Sequence, residues 1–457
     1  MAEPETELDV GELMQNRPLG RFQLTTFALC VLALFVNGLN FSSANVAAPA
    51  ILRAFDAQAS AMSAVFGWGF VGFFVGSIAF GAVGDRFGRK AGIIGSMLAY
   101  SIPALLSAFA TSIDELAIYR GLAGLGIGGL IPNVVALLNE TAPKSYRVTF
   151  VMAAFVGYSA GNATMGWIAI FIPEFGWPIV FLVAGTAGFV FGAIQLALLP
   201  ESIPFLAATD PGSKRLRQLI TRAAPELHVA ESTRFVLRRP ANETKFALKL
   251  LFDGERRIIT PLLWLAFFAE TLTYITLSTW LPVLLERAGL APAQASLAYS
   301  FGALGAAVAI LVVARLIDRF GIRASVFSAL VAVAATMSIG IIGPSPLLIT
   351  IAAILAMGFG SATHNSLLGI VGGFYPTVVR GNGVGYAASM GRIAGIVGPA
   401  TTGVLLTDYS LQIVLLSIAA PDLVVAAICI VLAYYAPRIG RAPGVDVRTP
   451  RRHRYSP

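Results

Sequence analysis

Charged residues are scarce in this chain. Asp, Glu, Lys and Arg make up 12% of its 457 residues, against about 25% in a soluble domain, so half of an ordinary solvated surface is missing. That excludes a water-soluble globule. Cysteine is nearly absent. Cys30 and Cys429 both stand in apolar runs, which reads as two small buried hydrophobes and argues against a disulfide framework or a cysteine metal site. There are three histidines, no phosphate-binding Gly-x-x-x-x-Gly-Lys-Ser/Thr loop and no nucleophile–base pairing legible in the sequence. Nothing points to an enzyme, a metal or an organic cofactor. The first residues, MAEPETELDV, are acidic and lack an apolar core, so no cleavable signal peptide is expected.

Apolar sequence is what the chain has in quantity. Hydrophobic residues reach 56% and the mean hydropathy is +0.77. They come in runs of about 20, the length that spans a bilayer core. Twelve runs can be placed, at about 24–48 (ended by Pro49), 61–83, 91–110, 120–140, 149–172, 177–199, 258–285, 295–317, 324–342, 347–374, 381–406 and 411–435. The expected fold is an all-α membrane protein of twelve transmembrane helices in two pseudo-symmetric six-helix bundles. Residues 1–22 read as a polar tail, 23–200 as the first bundle, 201–257 as a polar linker, 258–437 as the second bundle and 438–457 as a basic tail. The net charge of +8 gathers in loops, so it reports topology rather than nucleic acid. Basic hairpins follow runs two, four, eight and ten, and the basic linker, which holds His228 in a solvated setting, follows run six. Positive residues stay inside, so both termini are expected on the cytoplasmic side of the inner (plasma) membrane.

One short stretch organises the rest: Gly81-Ala-Val-Gly-Asp85-Arg86-Phe87-Gly88-Arg89-Lys90, a basic hairpin wedged between two apolar runs. It recurs in weaker form as Ala314 to Gly321, with Asp318 and Arg319. The same signature in two halves of a polytopic chain indicates internal duplication, the layout of a secondary transporter. Run two carries Gly67, Gly69, Gly72, Gly76 and Gly81, a small-residue spacing that lets helices approach closely.

Polar residues inside the runs are costly in lipid and should face the bundle interior, a wet cavity or a ligand. Run one holds Asn37-Gly38-Leu39-Asn40, then Ser42, Ser43 and Asn45, for a cavity or for interhelical hydrogen bonds alone. Glu270 and Asp422 lie near the middle of their runs, and Arg392 is equally deep. His364 is a structural histidine or a proton carrier. Arg120 opens a Gly-rich run, where it snorkels or faces inward.

The GxxxDRxGRK hairpin at Gly81 to Lys90, the RxxxGxGxG of Arg120 to Gly128, the two halves and the long linker together resemble the major facilitator superfamily. Finer strings are similar to its aromatic acid:proton symporter family. These are Pro132-Asn133 leading to Glu140, Ala142-Pro143-Lys144, Ser278-Thr-Trp280-Leu-Pro282, Phe374-Tyr375-Pro376 with Arg380 to Gly385, and Gly391-Arg392-Ile-Ala-Gly395 with Gly398-Pro399. The resemblance implies rocker-switch alternating access, with benzoate-like or hydroxybenzoate-like carboxylates carried inward with protons. Arg392 would then contact the carboxylate or clamp the structure beside it, and Trp280 and Tyr386 would stack a ring. Asn37, Asn40 and His364 complete the expected binding set. Arg120 would belong to the proton-coupling region. Gly81, Asp85, Arg86, Gly88 and Arg89, with Asp318 and Arg319, would form the cytoplasmic gate.

One departure stands out. The family's first helix carries an Asp-Gly-aromatic-Asp string where this chain has Asn37-Gly38-Leu39-Asn40. Asparagine keeps hydrogen bonds but exchanges no proton. Either Glu270, Asp422 or Glu140 has taken over coupling, or the protein is a facilitator or an exporter of other metabolites or drugs. A membrane sensor would need a signalling domain, and the linker and tails read as too short and featureless for one. The expected partners are a small organic anion and the bilayer, the coupling ion is a proton, and a monomer is expected.

Overall fold

In lipid there is no water to satisfy backbone N–H and C=O groups, so an apolar run must close its hydrogen bonds within a helix. The computed structural model describes residues 7–227, 233–237, 248–343, 345–375 and 377–439, and each apolar run lies in a helix there. The long helices are α1 (Arg21–Ala54), α2 (Ala59–Phe87), α3 (Arg89–Ser107), α4 (Ile113–Thr141), α5 (Arg147–Ile168) and α6 (Pro178–Leu198). After the linker come α7 (Arg256–Arg287), α8 (Pro292–Phe320), α9 (Arg323–Ser338), α10 (Pro346–Val371), α11 (Thr377–Asp408) and α12 (Leu411–Ile439). Ten helices are long and apolar enough to cross a membrane. Of the other two, α9 is apolar but short, at 16 residues. In α11, Arg392 and a run of glycines dilute the apolar character.

The packing of α1–α6 repeats in α7–α12. Within the first bundle α2 packs on α4, α1 on α5, α3 on α6 and α1 on α6. Six helices later α8 packs on α10, α7 on α11, α9 on α12 and α7 on α12. The halves meet through α2 with α11, α5 with α8 and α1 with α7.

These meetings gather at one end, the face opposite the basic hairpins. Arg53 at the end of α1 pairs with Glu286 at the end of α7 (2.5 Å), and the Ser60 N–H donates to Thr407 Oγ1 (3.2 Å). Phe66 meets Trp280 edge-on, with ring centroids 5.0 Å apart. One apolar core joins both halves there, from Leu39, Met62 and Phe66 to Leu277, Trp280 and Leu406. Toward the basic face each half has its own core. A Cβ at Gly81, Gly381 or Gly385 would meet nothing within 4 Å, so the basic-face ends of α2 and α11 stand apart. The cleft between the halves is therefore closed at the opposite face and open at the basic one.

Two expectations are corrected. Run one does not end at Pro49: α1 continues through that residue to Ala54. A buried proline is tolerated where packed neighbours hold the helix, and Pro49 and Ile51 are both buried. Nor are the N-terminal tail and linker featureless. Glu7–Asp9 (β1) pairs in parallel with Arg234–Val236 (β2). A helix over Val10–Asn16 starts on Asp9, whose carboxylate accepts from the Gly11 N–H (2.9 Å). Linker helices Ile203–Thr209 and Lys214–Ala223 share a core with Val10, Met14 and Phe235. In the second helix Leu216, Leu219, Ile220 and Ala223 are buried, the spacing of one helical face, which the surrounding charge hid from a composition argument. Arg17 ties the tail to the linker through Glu226 (2.5 Å) and the Ala223 carbonyl (3.1 Å). His228 and the basic tail from 440 onward lie outside the described residues.

The glycines of α2 divide by contact. A Cβ on Gly72 would press on the backbone of Gly121 and Gly124 in α4, whereas Gly81 faces open space and is no packing position in this state. Gly72→Val should destabilise by about 1–3 kcal/mol through overpacking. Gly81→Ala should be neutral or mildly stabilising, because alanine is the better helix former. Thermal unfolding of the purified proteins in one detergent checks both, and equal melting of the two variants would contradict this seam.

Candidate functional site

The polar residues of α1 turn inward as ties between helices. Asn37 donates through Nδ2 to the Ile127 carbonyl of α4 (3.1 Å), and Asn40 to the Ala184 carbonyl of α6 (3.0 Å). Both are fully buried. They hold the first bundle together and do not line the open cleft, contrary to their expected place in the binding set.

The deep charges of the second bundle converge. Glu270 on α7 is 1% exposed, and its Oε2 lies 2.5 Å from His364 Nδ1 on α10. Thr271 Oγ1 donates to the same oxygen (3.4 Å). The Tyr274 ring stacks on the imidazole, centroids 5.6 Å apart at 26°. Asp422 on α12 is buried beside Thr273 and Glu270. The Thr273 hydroxyl donates to the Ile418 carbonyl (2.9 Å), and by hydrogen-bond geometry neither Asp422 oxygen has a partner among the described residues. An ionised carboxylate left that way costs several kcal/mol, so this is a place where a proton has something to do.

Arg392 lies one layer away. On α11, Gly391 rests on Thr271, where a Cβ would sit 2.6 Å from Oγ1. Gly395 and Gly403 face Phe70 and Ser63 of α2, and Arg392 shares their side of the helix at i+3 and i+11. Ile393, Val397 and Val404 on another side are the exposed apolar face. Arg392 thus points toward the first bundle, below the seal and within the cleft. It is exposed and has no acidic partner among the described residues.

Trp280 and Tyr386 do not form one ring site. Trp280 is wholly buried in the seal and donates from Nε1 to the Pro399 carbonyl (3.0 Å). Tyr386 stacks on Trp264, centroids 6.2 Å apart. Since Trp280 packs at Pro399 and Gly403, more than a dozen residues further along α11, the two rings lie roughly 20 Å apart at 1.5 Å per residue.

Glu140 also stands elsewhere than expected. It belongs to the basic hairpin, accepting from Arg89 Nε (3.1 Å), while Arg89 Nη1 bonds Asp85. It is not with Glu270 and Asp422. Gly88 makes the turn at φ +102°, and a Cβ there would collide with the Glu201 carboxylate. That carboxylate caps the start of α3 by accepting from the Lys90 N–H (3.1 Å). Arg86 leans over Phe87, and Arg319 likewise over Phe320. In the second hairpin Asp318 is exposed and makes no ion pair among the described residues, so only the first hairpin carries a closed charge network.

Thr271 and Glu201 carry no signal in the sequence, and the place of Tyr274 over the imidazole is visible only in the fold. A lone threonine, tyrosine or loop glutamate carries no periodic signal, and only the helix crossings reveal them.

Comparison with known proteins gives a consistent set. The model of the Major Facilitator Superfamily matches residues 30–399 and 263–453. A 4-hydroxybenzoate transporter, PcaK, of Pseudomonas putida is 30% identical, over 86% of this chain and 88% of its own length. A gallate transporter of the same organism is 28% identical, over 88% and 90%. A benzoate transport protein of Acinetobacter baylyi is 27% identical, over 88% and 87%. Among solved structures, the nucleoside transporter NupG superposes with a TM-score of 0.67 at 15% identity, covering 90% of this chain and all of that one. A bacterial homologue of the lysosomal transporter Spinster, in an inward-facing and unoccupied conformation, gives 0.61 at 15%, covering 92% and 97%.

His364→Ala should strand the buried Glu270 and destabilise by about 3 kcal/mol. Adding Glu270→Gln should recover much of that loss, since no buried carboxylate then lacks a partner. Thermal unfolding at neutral pH measures the cycle, and a double variant no more stable than His364→Ala would break the pairing.

Proposed function

Because the chain belongs to the Major Facilitator Superfamily, we propose that it carries a small aromatic carboxylate, such as a benzoate or hydroxybenzoate, inward across the inner membrane together with protons. The relatives named above support the substrate class. The observation that carries the mechanism is the adjacency of Arg392 and Glu270. The residue next to Arg392 rests on Thr271, and Thr271 bonds Glu270. An anion at Arg392 and a proton at Glu270 are then one residue layer apart, and two ligands that close affect each other's affinity reciprocally.

In this reading the basic face is cytoplasmic, and the present state is open to the cytoplasm. Arg392 supplies the fixed positive charge that draws the carboxylate into the cleft. Glu270 with His364 accepts and releases the proton, and Asp422 behind them holds a second one. The Arg53–Glu286 pair latches the opposite face in the present state, and the Arg89 network braces the basic hairpin within the first bundle. The asparagines of α1 play no part in proton transfer.

Uptake of labelled 4-hydroxybenzoate and benzoate into cells should collapse when an uncoupler is added. Equilibrating uptake that survives it would mean a facilitator, consistent with the loss of carboxylates in α1. Arg392→Ala should lower initial uptake at least roughly ten-fold, the cost of one charge-assisted contact, at unchanged membrane abundance. Glu270→Gln should flatten the pH profile of uptake. A profile like that of the unmodified protein would remove Glu270 from coupling.

A further inference from the structure

Arg120 is the buried cation that this mechanism leaves without a task. It is 6% exposed, in the middle of the first bundle. Its Nη1 donates to the Asn40 carbonyl and to Ser43 Oγ, both at 3.3 Å. Nε and Nη2 donate to nothing in the described protein, and no carboxylate pairs with the guanidinium there. Arginine does not shed its proton in proteins, and an uncompensated buried charge costs several kcal/mol. With asparagine at 37 and 40, α1 offers no anion either.

The surroundings of Arg120 are aromatic. It lines a recess with Phe41, Phe66, Phe70, Phe73 and the buried amide of Asn45. Phe41 meets Phe70 edge-on with centroids 6.0 Å apart, and Phe70 lies 6.5 Å from Phe73. Phe66 is fixed against Trp280 in the seal, whereas Phe41, Phe70 and Phe73 are half-buried. Gly69 and Gly124 bring α2 against α4, which sets these rings beside the guanidinium. Among the described residues no ring stacks on Arg120 itself, so its charge is not spent on a cation–π contact. The recess has about the space of one water, so a ligand ring would need Phe41, Phe70 and Phe73 to turn aside.

We propose that this recess is the seat of the substrate: its aryl ring lies among Phe41, Phe70 and Phe73, and its carboxylate is the missing counter-ion of Arg120, taken by Nε and Nη2. Asn40 and Ser43 hold Nη1 and so orient the fork. A pocket of aromatic rings with one amide, Asn45, and one unspent cation selects a flat, singly charged aryl acid over a neutral aryl compound and over a saturated ring acid. Phe70 also meets α11 at Gly395, one turn from Arg392. A ring seated there therefore touches the wall that moves when the halves rock. This inference rests on the carboxylate-transport reading: Arg392 is then the contact at which the carboxylate enters the cleft, Arg120 the contact at which it comes to rest, and Arg120 moves from proton coupling to anion recognition.

The test is equilibrium binding of labelled benzoate to the purified full-length protein, with benzamide and cyclohexanecarboxylate as competitors. The unmodified protein should prefer benzoate to benzamide by roughly ten-fold or more, the worth of a charge-assisted contact. Arg120→Gln should bring that ratio close to one, and Arg120→Lys should keep part of it. Phe70→Leu should leave the preference for charge intact. It should also cut the preference for benzoate over cyclohexanecarboxylate by roughly three- to ten-fold, the worth of an aromatic contact. If Arg120→Gln does not fold, the Phe70→Leu ratio still decides. Unchanged ratios in folded variants overturn this seat and leave carboxylate transport standing. Failure of the unmodified protein to bind any aryl carboxylate overturns the transport reading itself, and this seat with it.

Discussion

A charge carried into lipid must be paired, hydrated or neutralised, because the bilayer core offers it nothing. Most of what is distinctive in this protein follows from that constraint. Glu270 is closed against His364, Thr271 and Tyr274. Asp422 is buried behind it, beside Thr273, with no hydrogen bond among the described residues. Arg392 looks into the open cleft, away from the apolar flank of its helix. Arg120 reaches a recess of phenylalanines. Each bundle turns its membrane-deep charges inward, and the outward faces of the helices are left to Val, Leu, Ile and Phe.

The bundles distribute those charges unequally. The second holds Glu270, Asp422, His364 and Arg392; the first holds Arg120 beside aromatic rings. The helix that bridges them, α11, touches both. Its glycines lie on Thr271 on one side and on Phe70 and Ser63 on the other. Small residues there let α11 approach its neighbours closely, so one helix is in contact with both bundles.

The opposite face and the basic face are held by different means. At the first, an apolar core and the Arg53–Glu286 pair join the halves. At the second, Asp85, Arg89 and Glu140 close a network within the first half and Glu201 caps α3 beside it, next to a small folded unit built from the tail and linker. That unit shares its core across more than two hundred residues of chain, which a reading by local composition does not detect.

By itself the sequence determined the helices, their number and the duplication, because apolar length and the repeated hairpin are local signals that lipid reads directly. It also marked Glu270, Asp422, Arg392 and Arg120 as costly residues in need of a reason. Tertiary structure alone decided what each one faces. It joined Glu270 to His364 across 94 positions and separated Trp280 from Tyr386. It also moved Glu140 to the hairpin and turned Asn37 and Asn40 into helix ties. Partners of that kind depend on how helices cross and on which side of a helix a residue falls, and neither is encoded in the run of residues around it.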